Sequence, residues 1–195
     1  MSLLFIGRRC TRAASFVRTR YIFAVMLLLV IGRGAVAAAP TEYQLKAAFL
    51  LNFAKFIDWP QAAFKEPRSP IVICVFGEDP FDRSIDEVVR GQTLGERPFA
   101  VKRVAQIQKD EPCHILFVRS VERERFERIL GGVKNLPILT VGEDEEFARA
   151  SGMINFIVEN NKIRFEVNLE TAERAGLKFS SRLLQLAKTV RGKRQ

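Results

Sequence analysis

The sequence predicts an α/β domain of three layers, with a mixed, mostly parallel sheet of about six strands flanked by about five helices. Three observations carry this. Short apolar, β-branched runs such as Ile71–Phe76 and residues 113–118 have the pattern of strands buried on both faces. Between such runs lie segments with apolar residues at helical spacing, as in Phe81, Ile85, Val88 and Val89. Late in the chain, residues 153–158 and 162–167 flank Glu159-Asn160-Asn161, which reads as an antiparallel hairpin and makes the sheet mixed.

The N-terminus reads as an export signal. Residues 1–20 are basic without an acid, residues 21–31 are unbroken apolar, and Ala35-Val36-Ala37-Ala38-Ala39 supplies small residues for cleavage. A cut after Ala37 satisfies the small-x-small rule, giving a signal peptide over 1–37 and a mature domain over 38–195. The apolar run falls short of the roughly 20 residues that cross a bilayer. Arg8-Arg9 lies far from the apolar run, which favours the general secretory route, and no cysteine follows that run to carry a lipid anchor.

Thr41-Glu42-Tyr43-Gln44 has capping-box spacing and opens a long helix predicted to reach Trp59, before Pro60. Its polar residues Gln44, Lys46, Asn52, Lys55 and Asp58 scatter around the wheel, so the helix is apolar on most sides. Such a helix is central in the core, or gives one face to another chain. Phe49, Phe53, Phe56 and Trp59 are the candidate residues for a partner or dimer surface. After strand 71–76, Gly77-Glu78-Asp79-Pro80 predicts a turn into a helix with Asp79 as its cap and Gly91 as its stop. Strands are predicted over 99–104, 113–118 and 137–141, with a helix over 121–130 between the last two. Gly142 and the acids Glu143-Asp144-Glu145-Glu146 open a short helix. After the hairpin come a short helix over 169–175, stopped by Gly176, and a final helix capped by Ser180. On that last helix Leu183, Leu184, Ala187 and Val190 share one side.

The charge points to a compartment rather than to a nucleic acid. The chain has 31 Lys and Arg against 22 Asp and Glu, a net of +9. Six of the arginines lie in residues 1–39, which hold no acid. The remaining excess of +3 equals the tail bases Arg191, Lys193 and Arg194, so residues 38–190 are formally neutral. A nucleic-acid partner is not expected of such a domain.

No catalytic set is visible. His114 is the sole histidine, sits in a strand that reads as buried, and is expected to be structural. There is no phosphate-binding glycine loop, since the turn after the first strand has only Gly77, and no cofactor or metal is expected. A receiver-type phosphoacceptor would need an acid ending the third strand, where the chain reads Val118-Arg119-Ser120. Glu78 and Asp79 are therefore read as turn and cap, and the run 143–146 as a solvated helix start at a junction where α/β folds also bind ligands. Arg164, Arg174, Arg182 and Lys188 are expected either to form a solvated face or to gather as a site for an anion or partner; Arg182 and Lys188 join the candidate surface. Once Cys10 leaves with the signal, Cys74 and Cys113 remain. In an oxidising compartment one disulfide is the default, and two buried thiols in neighbouring strands are the alternative.

Four stretches taken together resemble the YfiR family of periplasmic proteins. They are EYQLKAAFLLNFAKFIDWP at 42–60, IVICVFGEDPF at 71–81, PCHILFV at 112–118 with PILTVGE at 137–143, and GMINFIVENNKIRFEVN with AGLKFSSRLLQLAKTV across 152–190. The resemblance implies a small, often dimeric α/β regulator without enzymatic activity. It would bind the periplasmic sensor domain of an inner-membrane diguanylate cyclase and hold it inactive, lowering cyclic di-GMP and biofilm formation. An outer-membrane lipoprotein would compete for it. The resemblance also matches Cys74 and Cys113 to a family disulfide. A second, C-terminal disulfide of some members has no counterpart, because no cysteine follows Cys113. A different class of function, a periplasmic small-molecule-binding subunit feeding a membrane sensor kinase, fits the same features.

Overall fold

Ile71–Phe76 forms the strand around which the layers are arranged, and all six of its residues are buried. Ile71, Ile73 and Val75 join one hydrophobic cluster, while Val72, Cys74 and Phe76 join a second. Successive side chains of a strand point to opposite faces, so a strand buried at every position needs cover on both sides.

The computed structural model describes residues 39–107, 111–119 and 122–192. The chain divides into Met1–Ala39 and Pro40–Gln195. The predicted signal peptide, Ser120 and the tail bases Lys193 and Arg194 lie outside the described residues.

In chain order the elements are α1 (Glu42–Lys55), β1 (Ile57–Asp58), a 3-10 turn (Gln61–Ala63), β2 (Ile71–Phe76), α2 (Ser84–Val89), β3 (Thr93–Leu94) and β4 (Arg97–Val104). Then follow β5 (Ile115–Val118), α3 (Arg123–Gly132), β6 (Leu139–Gly142), α4 (Glu145–Arg149), β7 (Ile154–Glu159) and β8 (Lys162–Asn168). The chain closes with α5 (Leu169–Arg174), β9 (Lys178–Phe179), α6 (Ser181–Leu186) and β10 (Thr189–Arg191). Eight strands make the main sheet in the order β10-β8-β7-β6-β5-β2-β4-β3, and β1 pairs with β9 apart from it. Only β3–β4 and β7–β8 are antiparallel in the main sheet. Residues of α1, α2, α5 and α6 join the first cluster, and those of α3 and α4 the second, which gives the three layers. The strands beyond the six predicted are two or three residues long, too short to show a period.

Three helix boundaries differ from expectation by more than two residues. The capping box at Thr41 forms, with the Gln44 N–H donating to Thr41 Oγ1 at 3.3 Å and the Thr41 N–H to Gln44 Oε1 at 2.8 Å. The helix stops at Lys55, short of Trp59, because Ile57 and Asp58 pair with Phe179 and Lys178. The Ser180 N–H adds a bond to the Phe56 carbonyl at 2.9 Å. Helix α2 begins at Ser84, because Asp82 adopts φ +50 and interrupts right-handed helix before it. Asp79 therefore caps a turn, accepting from the Phe81 N–H at 2.8 Å. Ser180 caps α6 as expected, its Oγ accepting from the Leu183 N–H. That helix ends at Leu186, and Val190 lies in β10, paired in parallel with Val167 of β8. The hairpin forms as predicted, on a two-residue turn with Asn160 and Asn161 both at positive φ; Glu159 belongs to the strand, opposite Lys162.

Candidate functional site

Strand order reverses between β2 and β5: from β2 the chain moves to β4 on one side, and β5, β6 and β7 follow on the other. The crevice at the carboxyl ends of strands at such a reversal is where open α/β sheets place ligands. Here it is occupied by charge. Arg119 follows β5 and places a guanidinium nitrogen 3.4 Å from Glu78, which follows β2. Its Nε lies 3.8 Å from Glu143, the residue after β6.

Helix α1 lays its first turns beside this edge. Tyr43 donates its hydroxyl to Glu143 Oε1 at 3.0 Å, and Lys46 donates to Glu143 Oε2 at 2.5 Å. Lys46 also bonds Glu42, one turn back. Lys46 is 3% exposed and the Glu143 side chain 11%. Tyr43 meets Phe81 edge to face at 5.5 Å, which fixes the ring against the β2–α2 turn. Burial raises the Tyr43 pKa, and the Glu143 charge adds to the effect. Burial pulls the Lys46 pKa down, but the hydrogen bonds and charges of Glu143 and Glu42 outweigh it and hold it above the usual lysine value. Lys46 thus stays a cation and Tyr43 a neutral donor, and both Glu143 oxygens are engaged. The group holds position and charge; it leaves no free base beside a nucleophile.

Beside it opens a cleft of about 800 Å³. Tyr43, Lys46, Arg119 and Arg149 form part of one wall, and Asn155 and Val158 of β7 part of the other. Asn155 is 4% exposed, and its Oδ1 accepts from the Asp144 N–H at 3.1 Å.

The acids singled out in the sequence are separated. Glu78 turns to Arg119, Asp79 to Arg103 at 2.8 Å, and Glu143 to Lys46. Asp144 caps α4, while Glu145 and Glu146 pair with Arg149. Among the described residues, no group of three or more His, Cys, Asp or Glu side chains is placed to hold a metal ion. Arg103 also binds Asp86, which lowers the Asp86 pKa and raises that of the arginine. This ties β4 to the β2–α2 turn.

The predicted basic group only half assembles. Lys188 and Arg164 meet on Glu159, at 2.9 and 3.8 Å, and Lys188 lowers the Glu159 pKa. Arg174 pairs with Glu170 on its own helix, and Arg182 lies over the Phe56 ring at 5.8 Å. On α1, Phe53 is 1% exposed and packs against Phe156 and Phe165 at 5.7 and 5.1 Å, so it belongs to the core and offers no surface. Phe49, Phe56 and Trp59 are half-buried. Trp59 donates its indole N–H to the Ala54 carbonyl at 3.2 Å.

His114 is structural, as expected. Its Nδ1 accepts from the Val72 N–H at 3.1 Å, so the proton sits on Nε2, which donates to the Ala63 carbonyl at 3.0 Å. Burial lowers its pKa and keeps it neutral. Cys74 of β2 and Cys113, just before β5, form a disulfide with Cα atoms 5.9 Å apart. Of the two alternatives for these cysteines, the bonded one is realised.

Tyr43 and Lys46 were missed as site residues. Their spacing of three on one helix face was the available signal, with Glu42 four residues before the lysine. What singles them out is Glu143, 97 residues beyond Lys46.

A family model described as YfiR/HmsC-like matches residues 43–188. The chain belongs to this family. The match takes in the YfiR/HmsC-like chain from Tyr43 at the charged crevice to Lys188 before β10, and both cysteines of the disulfide. Among the described residues of this YfiR/HmsC-like protein, no helix is long and apolar enough to cross a membrane.

Proposed function

We propose that the protein is a non-catalytic periplasmic regulator of diguanylate cyclase signalling. It is exported by residues 1–37 and acts through the domain at 38–195. It binds the periplasmic sensor domain of an inner-membrane diguanylate cyclase and represses it, lowering cyclic di-GMP and biofilm formation. The observation that carries this reading is the YfiR/HmsC-like match over 43–188. The neutralised crevice supports it, because Tyr43, Lys46 and Glu143 satisfy one another and are built to hold shape.

Repression of this kind requires tighter binding to the inactive cyclase than to the active one. A homodimer and a competing outer-membrane lipoprotein belong to the same reading. Phe49, Phe56, Trp59, Arg182 and Lys188 remain the proposed contact surface, with Phe53 withdrawn from it. Deleting the gene is expected to raise cyclic di-GMP, and co-purification from membranes is expected to bring down a protein with a cyclase domain. Unchanged cyclic di-GMP would defeat the reading.

The cleft of about 800 Å³ favours a second reading, a small-molecule-binding subunit that feeds a membrane sensor kinase. A kinase recovered in the same co-purification would select it.

A further inference from the structure

Strand β7 outruns its neighbour. It pairs with β6 only at Ile154 and Asn155, opposite Val141 and Gly142, yet it continues to Glu159. Beyond Gly142 the chain of β6 turns away, and Asn155 Oδ1 takes the Asp144 N–H in place of a further ladder bond.

The direction of the backbone groups follows from the hairpin. A two-residue turn makes Glu159 and Lys162 the hydrogen-bonded pair, and bonding then alternates along the ladder. The Asn168 N–H bond to the Met153 carbonyl at 2.8 Å fits the same parity. Residues 155, 157 and 159 therefore bond to β8, while 154, 156 and 158 face the other edge. Ile154 meets β6 there. By that parity the Val158 N–H and carbonyl and the Phe156 carbonyl face away from β8, beyond the last residues that pair with β6.

The side chains beside this edge are specific in kind. Val158 is 57% exposed, among the most exposed large apolar residues described. Asn155 is buried, and its amide oxygen is taken by the Asp144 N–H. The lining cations Lys46, Arg119, Arg149, Lys188 and Arg191 are matched in number by Glu42, Glu143, Glu145, Glu159 and Glu166. A cleft without net charge does not select a simple anion. An outward N–H and carbonyls at strand spacing are complemented by another peptide backbone.

We infer that the free edge of β7 at Phe156–Glu159 is a docking edge for an extended segment of a partner protein, which adds as a strand inside the cleft. That segment would be amphipathic, with an apolar side chain beside Val158 and polar groups toward Asn155 and the paired charges. At about 3.3 Å per residue, the edge accommodates roughly four residues. Naming the partner as the cyclase rests on the function proposed above.

Val158→Pro deletes the outward N–H and spares the ladder, because Val158 makes no bond to β8; proline is tolerated at such an edge. Val158→Thr keeps the N–H and serves as the control. In a deletion strain, wild type and Val158→Thr are expected to restore low cyclic di-GMP and to co-purify with the cyclase. Val158→Pro, folded by its thermal melt, is expected to bind roughly tenfold more weakly. Full complementation by Val158→Pro would overturn the docking edge. A dimer of wild type that becomes a monomer in Val158→Pro would assign the edge to a second copy, and so overturn the partner segment. A deletion that leaves cyclic di-GMP unchanged would sink the regulator reading alone. Hydrogen exchange tests the edge without any variant: the Val158 amide is expected to exchange fast alone and slowly with the periplasmic domain of the co-purified membrane protein. Equal exchange in the two states would reject the inference.

Discussion

The Lys46 ammonium lies 2.5 Å from the Glu143 carboxylate, joining the second turn of α1 to the carboxyl end of β6. Both side chains are largely buried, and the Tyr43 hydroxyl occupies the other carboxylate oxygen. This contact lines the charged crevice and sets α1 against the sheet edge.

Removing one member of this pair should cost more than removing both. Lys46→Met leaves Glu143 buried with Tyr43 and a distant Arg119, and a loss of about 3 kcal/mol is expected. Glu143→Gln should cost less, because Lys46 keeps Glu42. The double variant Lys46→Met/Glu143→Leu should regain much of the loss. Urea unfolding of the three variants measures this; additive losses would contradict it.

Stability should depend on pH through His114. Its folded pKa lies below the unfolded value of about 6.5, because burial disfavours the imidazolium. Below that value the unfolded chain takes up the proton before the folded one does. Stability contributed by neutral His114 is therefore complete above about pH 6.5 and lost as pH falls through the window beneath it. Denaturant melts between pH 7.5 and 5.5, on the order of one every half unit, should show this slope. His114→Gln should be less stable throughout and lack that part of the slope. An unchanged slope would assign it elsewhere.

Phe147 requires two glycines. A Cβ on Gly142 would lie 2.4 Å from its ring, and one on Gly152 would lie 2.0 Å away. Gly152→Ala is expected to destabilise by about 1–3 kcal/mol through overpacking. Combining it with Phe147→Leu should lose less than the sum of the two single changes. Thermal melts decide between coupling and independence.

The Cys74–Cys113 bond spans a sequence separation of 39 and should stabilise by roughly 2–4 kcal/mol. Purified protein should show no free thiol at either residue until it is reduced, and reduction should lower the melting temperature. Stoichiometric thiol labelling without reductant would refute the bond.

Much of the fold was legible because it rests on local periods. The all-apolar run at 71–76, the Thr41 capping box, the Ser180 cap and the Asn160-Asn161 turn each state a conformation within a few residues. The site was less legible. Glu143 and the Glu78–Asp79 turn were visible as acids at strand ends, yet their partners Lys46, Arg119 and Arg103 were visible only as scattered bases.

By itself the sequence determined the fold class, the order of the main elements, the structural role of His114 and the availability of just two cysteines, Cys74 and Cys113, after residue 37. Those follow from patterns read at short range and from which residue types are present at all. Only the tertiary structure decided that α1 ends at Lys55, that Val190 is a strand residue, and that Phe53 is core. It also decided that β7 runs past β6 with one edge unpaired. In each case local preference was compatible with more than one state. The choice came from a partner distant in the chain: β9 for the end of α1, β8 for Val190, and Phe156 with Phe165 for Phe53. At the free edge the same physics leaves a vacancy, because β6 turns away at Gly142 and no other described strand takes its place.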